Sequence, residues 1–316
     1  YKLVSYDPTT GVELEAFEDY FAGAPAIKHV KFNIIPDGNT QVLALQSGEL
    51  NISRDFPASS ITTIENDSNL DIYSHSCGMV YFLQFNLRDN TIEPLKNVKV
   101  RQAINYCLDK QFMVDVAEEG LGTIANSIAN QNMFGYDDEV PGYEYNVEKA
   151  LELMKEAGYE DGFDIGTIYC REGKDENVAE IARENLAAIG ITATVTLLET
   201  NAFLDAMKNG NFTIAATHLN LNTDAGQTFE VSSIRGSVPY SGLEDPYIES
   251  QRDAQDMEMD EDARWTILHD TLVYLSEQAY FAPCYYPTMS YAHTAGLVFN
   301  GYDPFVGLQL RFLSWE

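Results

Sequence analysis

The sequence predicts an α/β fold, in which helices cover the faces of a sheet, and three observations lead to this prediction. With 316 residues and 45% hydrophobic side chains, the chain can bury a sizeable core. Aromatic side chains make up 12% of it, whereas disordered chains are poor in aromatics. Between residues 163 and 216, β-rich runs alternate with helical periodicity in the order β-α-β-α-β. Such alternation is typical of a sheet covered by helices.

The first 85 residues predict short strands and two helices. Pro8 and Gly11 mark a turn between the first two strands. Gly48 lies just past the end of the first helix, where glycine commonly terminates helices. We expect strands at 1–6, 12–17, 30–35, 70–73 and 79–85, and helices at 39–46 and 61–64.

The middle of the chain predicts amphipathic helices between strands. Apolar residues at 100, 103, 104, 107 and 108 mark one face of a helix, while Asp109 and Asn146 are suited to cap the next two. Residues 121–145 are polar and aromatic without periodicity, which indicates an ordered surface loop. We expect helices at 97–108, 109–118, 146–157, 177–189 and 203–207, and strands at 163–169, 191–198 and 212–216.

The last hundred residues begin with a stretch at 219–243 that is rich in Asn, Thr, Gly and Ser and is expected to be irregular. Trp265, Leu268, Leu272 and Leu275 then mark one face of an amphipathic helix. We expect helices at 246–259 and 263–275, a strand at 280–286, and short extended pieces at 299–305 and 308–312.

The composition excludes several classes of partner and site. A formal net charge of −30, from 49 acidic and 19 basic side chains, repels nucleic acid, so we expect no nucleic-acid partner. We interpret the acidity as a solvated surface. The four cysteines form no CxxC pair, and the five histidines form no HxH or HxxxH motif, so we expect no metal site and no cofactor. The motifs GxSxG, HExxH, GxGxxG and the P-loop are also absent, and we expect no catalysis.

Several segments, in order along the chain, resemble segments of one known protein family. The run VRQAINYCLDK at 100–110 is similar to that family's VRQAINYALDK, and the strand VYFLQFN at 80–86 precedes it as in the family. ALQSGELNI at 44–52 is similar to the family's ALQSGEIDI, and APCYYP at 282–287 to its IVPLYYP. The family that these segments resemble is the peptide/nickel class, or family 5, of extracytoplasmic solute-binding proteins, and YKLVSY at 1–6 resembles the strand that opens the second half of lobe I in that class. We therefore expect part of lobe I to precede this sequence.

The resemblance implies a two-lobed binding protein of the periplasmic type (type II, cluster C). Residues 1–85 and 291–316 would build part of lobe I, and 86–290 would build lobe II, with hinge crossings near Asn86 and Tyr291. Such a protein catalyses nothing. It captures a small solute, most plausibly a short peptide or a peptide-like molecule, between its lobes and delivers it to the membrane permease of an ABC importer. The resemblance further implies a monomer outside the cytoplasm, in the periplasm or on the cell surface as a lipoprotein.

Two groups of residues are the first candidates for ligand binding. In the loop at 53–57, Arg54 or Asp55 could meet a charged ligand and Phe56 could stack on it; the alternative is a surface turn before a helix. Tyr81 or Phe82, near the expected crossing, could line the ligand, although aromatic residues in strands are usually core.

The segment at 217–224 is the second candidate region, with Thr217, His218, Asn220, Asn222 and Asp224 as ligand-binding candidates. Peptide-binding relatives carry an Asp in this segment that pairs with the α-ammonium of the peptide. Asn222 takes the place of that Asp and lacks its charge, so the chain either uses Asp224 or binds a molecule without a free amine.

Arg235 is a further candidate, because an arginine can bind a ligand carboxylate bidentately, although a surface ion pair is the simpler interpretation.

Four alternative functions stay open beside peptide capture. These are binding of nickel or a metal chelate, for which His218 is the one histidine in a suitable position, binding of an oligosaccharide, a signalling receptor, and a glycoside hydrolase with two carboxylates in its cleft.

Overall fold

The chain builds part of a first unit, passes through a second unit and returns to the first. Unit 1 contains residues 1–76 and 288–316, and unit 2 contains residues 77–287. The computed structural model describes residues 1–316 except 55, 89, 221, 222, 239, 300, 301 and 304–306. None of the described helices is both long and apolar enough to cross a membrane.

The first part of unit 1 holds an antiparallel three-stranded sheet and two short helices. Asp37 caps the first helix, because its side chain accepts a hydrogen bond of 2.7 Å from the backbone N–H of Thr40. The elements are β1 (Lys2–Asp7), β2 (Gly11–Glu15), β3 (His29–Asn33), α1 (Gly38–Gln46), β4 (Ile52–Ser53), α2 (Ile61–Glu65) and β5 (Leu70–Ser76).

Unit 2 is built on a six-stranded mixed sheet with helices packed on it. Its elements are β6 (Met79–Phe85), α3 (Glu93–Lys96), α4 (Val98–Cys107), α5 (Lys110–Ala117), β7 (Thr123–Ile124), α6 (Val147–Glu156), β8 (Phe163–Cys170), α7 (Lys174–Ala187), β9 (Ile191–Leu197), α8 (Thr200–Asn209), β10 (Ile214–Asn220), α9 (Phe229–Ser232), α10 (Pro246–Met257), α11 (Glu261–Glu277) and β11 (Phe281–Tyr286). The strand order is β7-β11-β6-β10-β8-β9.

The last 29 residues return to unit 1 as β12 (Thr288–Thr294), β13 (Leu297–Phe299), β14 (Tyr302–Asp303), β15 (Gly307–Leu308) and β16 (Leu313–Trp315). Strand β12 lies between β4 and β5 and pairs with β5 along seven residues. No element was predicted at 288–294, so this strand is a correction to the sequence-based prediction.

Most other elements follow the sequence prediction, with three corrections. The stretch at 121–145 is not a surface loop, because residues 123–124 form β7 and Ala125, Ile128 and Ala129 are buried. Residues 310–312 form a short 3-10 helix where an extended piece was expected, and the third correction concerns the stretch expected to be irregular. Strand β6 has the predicted bounds, and most helix ends differ from the prediction by one to three residues. In the stretch at 219–243, however, β10 continues to Asn220 and α9 forms at Phe229–Ser232. The pairing of β10 with β6 along seven residues stabilises this extension.

The division into units falls at residues 76/77 and 287/288, whereas the sequence placed the crossings near Asn86 and Tyr291. The difference follows from strand pairing. Strand β6, which precedes Asn86, pairs with β10 and β11 inside unit 2, and Tyr291 pairs with Tyr73 inside unit 1. The assignment of these units to lobes I and II stays a prediction.

A buried arginine joins α4 to the start of β11 in unit 2. Arg101 is only 5% exposed, and its guanidinium donates to the backbone carbonyls of Leu95, Lys96, Gln278 and Ala279 at 2.8 to 3.2 Å. Burial lowers the pKa of this arginine. Five N–H donors in a fixed plane suit such a set of acceptors. Arg101 therefore holds together segments that lie far apart in the sequence.

We predict that Arg101→Met lowers the free energy of unfolding by about 3 kcal/mol or more, because buried carbonyls then lose their donors. The measurement is urea unfolding followed by circular dichroism. The control is Arg183→Met on the exposed face of α7, which we expect to change stability by about 0.5 kcal/mol or less. Equal losses in the two variants would contradict this role for Arg101.

We also predict that alkaline pH destabilises the protein. Burial raises the pKa of Cys77, Cys107, Cys170 and Cys284 above the ordinary value of 9.0, to about 12 for the last two. The folded thiols keep their protons where unfolded thiols ionise, so their contribution is complete below pH 9 and is lost as the pH rises toward 12. The buried Lys110 has the opposite effect on stability between about pH 8 and 10.5, because burial lowers its pKa to about 8. This is the effect of one group, whereas four cysteines contribute to the loss of stability.

The urea midpoint, measured in reducing buffer at several pH values, should therefore fall between about pH 9 and pH 10.5. Lys110→Met should make the fall steeper, because the opposing group is removed. A midpoint that rises over this interval in the unmodified protein would contradict the prediction.

Candidate functional site

Polar and aromatic side chains gather at one edge of the unit 2 sheet. Because β10 is parallel to β8 and antiparallel to β6, and β11 is antiparallel to β6, the carboxyl ends of β8, β10 and β11 share this edge with the amino end of β6. The chain also enters unit 2 two residues before β6 and leaves it directly after β11. Open α/β sheets bind ligands outside the carboxyl ends of their strands. We call this region the polar edge; it consists of Tyr81, Glu118, Arg171, Lys174, Asp175, Thr217, His218 and Tyr285.

A buried carboxylate orients an arginine at the polar edge. Asp175 is 3% exposed, and its Oδ2 accepts a 2.7 Å hydrogen bond from Arg171 Nε. The Nη2 of Arg171 donates to Thr217 Oγ1 at 3.2 Å, and the guanidinium lies 4.9 Å from the centre of the Phe203 ring. Among the described residues, none accepts a hydrogen bond from Nη1. That nitrogen is therefore available to an oxygen atom of a ligand.

His218 is held by the other oxygen of the same carboxylate. Its Nδ1 lies 2.8 Å from Asp175 Oδ1 and 3.1 Å from Arg171 Nη2. The carboxylate can only accept, so the consistent assignment is that Nδ1 donates to Asp175. A neutral His218 then presents Nε2 as an acceptor. Its ring also contacts Tyr81, with the ring centres 5.0 Å apart.

Two stacked tyrosines form the aromatic part of the polar edge. The rings of Tyr81 and Tyr285 are 4.7 Å apart and nearly parallel. Burial raises the pKa of both hydroxyls, and the carboxylates of Asp175 and Glu118 raise that of Tyr81 further. Both phenols are therefore neutral at physiological pH. A second ion pair lies beside them, with Lys174 Nζ 2.8 Å from Glu118 Oε2.

Three residues that were predicted from the sequence as ligand-binding candidates lie together at the polar edge: Tyr81, Thr217 and His218. Their role in binding stays a prediction. Asn220, also a candidate, is exposed at the end of β10, where it pairs with Met79. Phe82, by contrast, is fully buried against Phe281 and belongs to the core.

Two other candidates in unit 2 have structural partners. Both oxygens of Asp224 accept hydrogen bonds from Arg264, at 2.7 and 3.0 Å, and one also accepts from the N–H of Gly226. This carboxylate anchors the loop to α11, and the expectation that Asp224 replaces the missing acid stays a prediction. Arg235 is half-exposed and forms ion pairs with Glu249 and Asp253. This arrangement agrees with the interpretation of Arg235 as a member of a surface ion pair.

The candidates of the loop at 53–57 lie in unit 1. Phe56 is partly buried and packs against a core cluster that includes Val42, Leu45 and Ile64, and its stacking on a ligand stays a prediction. Arg54 lines a cleft of about 1160 Å³ in this unit. Asp55, like Asn222 in unit 2, lies outside the described residues.

Five of the eight residues of the polar edge were not predicted from the sequence, namely Arg171, Asp175, Glu118, Lys174 and Tyr285. A signal for the first two was present. Arg171 directly follows a predicted parallel strand, and an Asp four residues after an Arg can pair with it across one helical turn. The signal for Glu118 was absent, because nothing in its local sequence shows that the end of α5 is buried.

Comparison with known proteins agrees with the fold. The profile of the bacterial extracellular solute-binding proteins, family 5 Middle, matches residues 1–233. The oligopeptide-binding protein AppA of Bacillus subtilis is 30% identical over 249 residues, which are 72% of this chain and 45% of that protein. The dipeptide-binding protein of Escherichia coli K12 is 28% identical over 215 residues, which are 66% of this chain and 40% of that protein. This chain thus spans less than half of the length of these relatives.

A solved structure shows the same fold. The ABC transporter substrate-binding protein CtaP of Listeria monocytogenes superimposes with a TM-score of 0.87 at 24% identity, over 100% of this chain and 66% of that one. The α/β fold predicted from the sequence is therefore confirmed, and it is the fold of an extracellular solute-binding protein.

Proposed function

This chain belongs to family 5 of the bacterial extracellular solute-binding proteins, and from that premise we propose that it captures a short peptide through the carboxylate of the peptide and delivers it to the permease of an ABC importer. One observation carries the choice of ligand. Arg171 is a cation at the carboxyl ends of parallel strands, oriented by a buried carboxylate and with one nitrogen available. A carboxylate is the group that such a nitrogen binds best.

The fixed orientation of Arg171 favours affinity as well as specificity. A flexible arginine loses rotamer freedom when it binds a ligand, at a cost of about 0.5–1.5 kcal/mol. Here Asp175, Thr217 and the Phe203 ring already hold the guanidinium before a ligand arrives. The side chain is still about one-fifth exposed, so a ligand can reach it.

The rest of the polar edge suits the uncharged parts of a peptide. His218 offers a nitrogen acceptor to a backbone N–H, and the buried ring of Tyr81 supports the histidine from beneath the edge. No covalent step is required of these groups, since capture and release involve only hydrogen bonds and ion pairs. Closure of two lobes around the ligand, location outside the cytoplasm and action as a monomer are further parts of this proposal, and they follow from the family.

The alternative functions have less support at this edge. A glycoside hydrolase needs two carboxylates that can reach the glycosidic bond, but Asp175 is taken up by Arg171 and His218, and one oxygen of Glu118 by Lys174. Among the described residues, no three His, Cys, Asp or Glu side chains are grouped so that they could hold a metal ion.

We predict that the dipeptide Ala-Leu binds to the protein and that amidation of its C-terminus weakens binding by about 10- to 100-fold, as expected for loss of a charged hydrogen bond worth about 1.5–3 kcal/mol. Arg171→Gln should weaken binding of unmodified Ala-Leu to a similar degree. Isothermal titration calorimetry measures both effects.

The two changes should not add, because both remove the same interaction. Arg183→Gln on the exposed face of α7 is the matched control and should leave the affinity unchanged. If amidation weakened binding to Arg171→Gln as much as to the unmodified protein, the carboxylate would bind elsewhere and the proposal would be wrong.

A further inference from the structure

Two exposed methionines lie in the turn between α10 and α11. Met257 is 81% exposed and Met259 is 94% exposed. Methionine is among the residues that are most often buried, because its flexible apolar side chain fills irregular gaps in a core. Neither side chain fills a gap at this exposure, so packing does not explain methionine at these two positions.

The other sulfur atoms of the chain are shielded from water. Met79 and Met289 are partly buried, and four further methionines are buried: Met113, Met133, Met154 and Met207. All four cysteines are buried as well, and burial raises the pKa of their thiols, so they carry little of the reactive thiolate. Oxidation of sulfur follows its exposure and its thiolate character. The turn between α10 and α11 therefore holds the most readily oxidised sulfur atoms of the described chain.

Hydrogen bonds hold this turn in place without any contribution from the thioether groups. The carboxylate of Glu258 accepts hydrogen bonds of 2.8 Å from the backbone N–H groups of Met259 and Asp260. Asp260 in turn caps α11, because its side chain accepts a hydrogen bond of 2.9 Å from the backbone N–H of Ala263. The N–H of Glu258 donates to the carbonyl of Ala254 at 3.0 Å and closes the end of α10. A chemical change at either sulfur atom leaves all of these bonds intact.

Oxidation of these two methionines by a peroxide needs no cofactor. A lone pair of the sulfur attacks one oxygen of hydrogen peroxide, and the O–O bond breaks. The departing hydroxide takes the proton of the transferred oxygen and leaves as water, so sulfur loses two electrons and the peroxide gains them. The resulting sulfoxide is polar and disrupts packing in a core. At Met257 and Met259 water solvates the new S–O group, and no buried contact is lost.

The charge around the turn distinguishes between oxidants. Residues 256–262 contain no Lys or Arg but five acids, which are Asp256, Glu258, Asp260, Glu261 and Asp262. The next cation along the chain, Arg264, is paired with Asp224. The negative potential of such a segment repels anions over a Debye length of about 8–10 Å at 0.1–0.15 M salt. Hydrogen peroxide is uncharged at neutral pH, so the turn favours neutral peroxides over anionic oxidants.

We propose that Met257 and Met259 form a reversible oxidation site, at which a neutral peroxide is reduced to water before any other sulfur atom of the chain reacts. The sulfoxides remain exposed on the turn, where a methionine sulfoxide reductase can reach them and restore the thioethers. This inference goes beyond the proposed function, since it involves no ligand and no residue of the polar edge.

The test exposes the protein to an excess of hydrogen peroxide and follows each methionine over time by digestion and mass spectrometry. Met257 and Met259 should become sulfoxides at least about 10-fold faster than the partly buried Met79 and Met289. Once both have reacted, the urea midpoint should equal that of the untreated protein. Methionine sulfoxide reductases A and B with dithiothreitol should then return both residues to their original mass.

The variant that combines Met257→Leu with Met259→Leu is the control, and it should lose the fast phase of oxygen uptake seen in the intact mass. Peroxomonosulfate, an anionic peroxide, tests the role of charge. Its rate at the turn, relative to N-acetyl-methionine amide in the same solution, should rise at least about twofold between about 0.01 M and 1 M salt, whereas that of hydrogen peroxide should not change.

Three results would overturn the proposal. Oxidation of Met79, Met289 or a cysteine as fast as that of the turn would show that exposure does not select the site. A urea midpoint lowered by oxidation of Met257 and Met259 alone would show that the fold depends on their thioethers. A relative rate of peroxomonosulfate that does not respond to salt would remove the preference for neutral oxidants.

Discussion

The site depends on one buried carboxylate, that of Asp175 at the start of α7. This carboxylate fixes Arg171 through one oxygen and His218 through the other, so it determines the direction of a cation and the tautomer of an imidazole together. Two features make a buried anion tolerable at this position. The guanidinium balances its charge, and the N-terminal end of α7 carries the positive end of the helix dipole.

The junction between β8 and α7 concentrates these charges in a few residues. Gly173, the N-cap of α7, has a φ of 95°, a conformation that glycine adopts readily, and it lies three residues after the end of β8. Arg171 and Lys174 therefore lie on either side of this turn, and each pairs with a buried carboxylate. The result is two ion pairs at one sheet edge.

The sequence predicted elements well and long-range pairing poorly. Strand β6 was predictable because its residues are apolar and β-rich, and α4 because its apolar residues recur at helical spacing. The salt bridge between Asp224 and Arg264 joins residues 40 positions apart, so no local sequence pattern predicts it. Strand β12 was missed because its polar and aromatic residues gain their strand structure from pairing with β5 in the middle of a sheet.

The candidate site shows the same limit. Tyr81 and His218 could be proposed from resemblance, but their contact exists only because β6 and β10 pair in the register that places these two residues opposite each other. The packing of Phe56 could not be predicted, because the core cluster that it contacts is built from residues distant in the sequence, such as Val42 and Ala292. Burial, which decides whether a charge is available or committed, is a property of the folded chain.

Hydrogen–deuterium exchange with and without saturating Ala-Leu tests most directly the claim that the polar edge of unit 2 is the binding site. The account predicts slower exchange on ligand addition in the segments 77–85, 114–124, 170–177 and 214–220. Protection confined to the cleft segments of unit 1 at 27–36 and 49–54, with unit 2 unchanged, would contradict it.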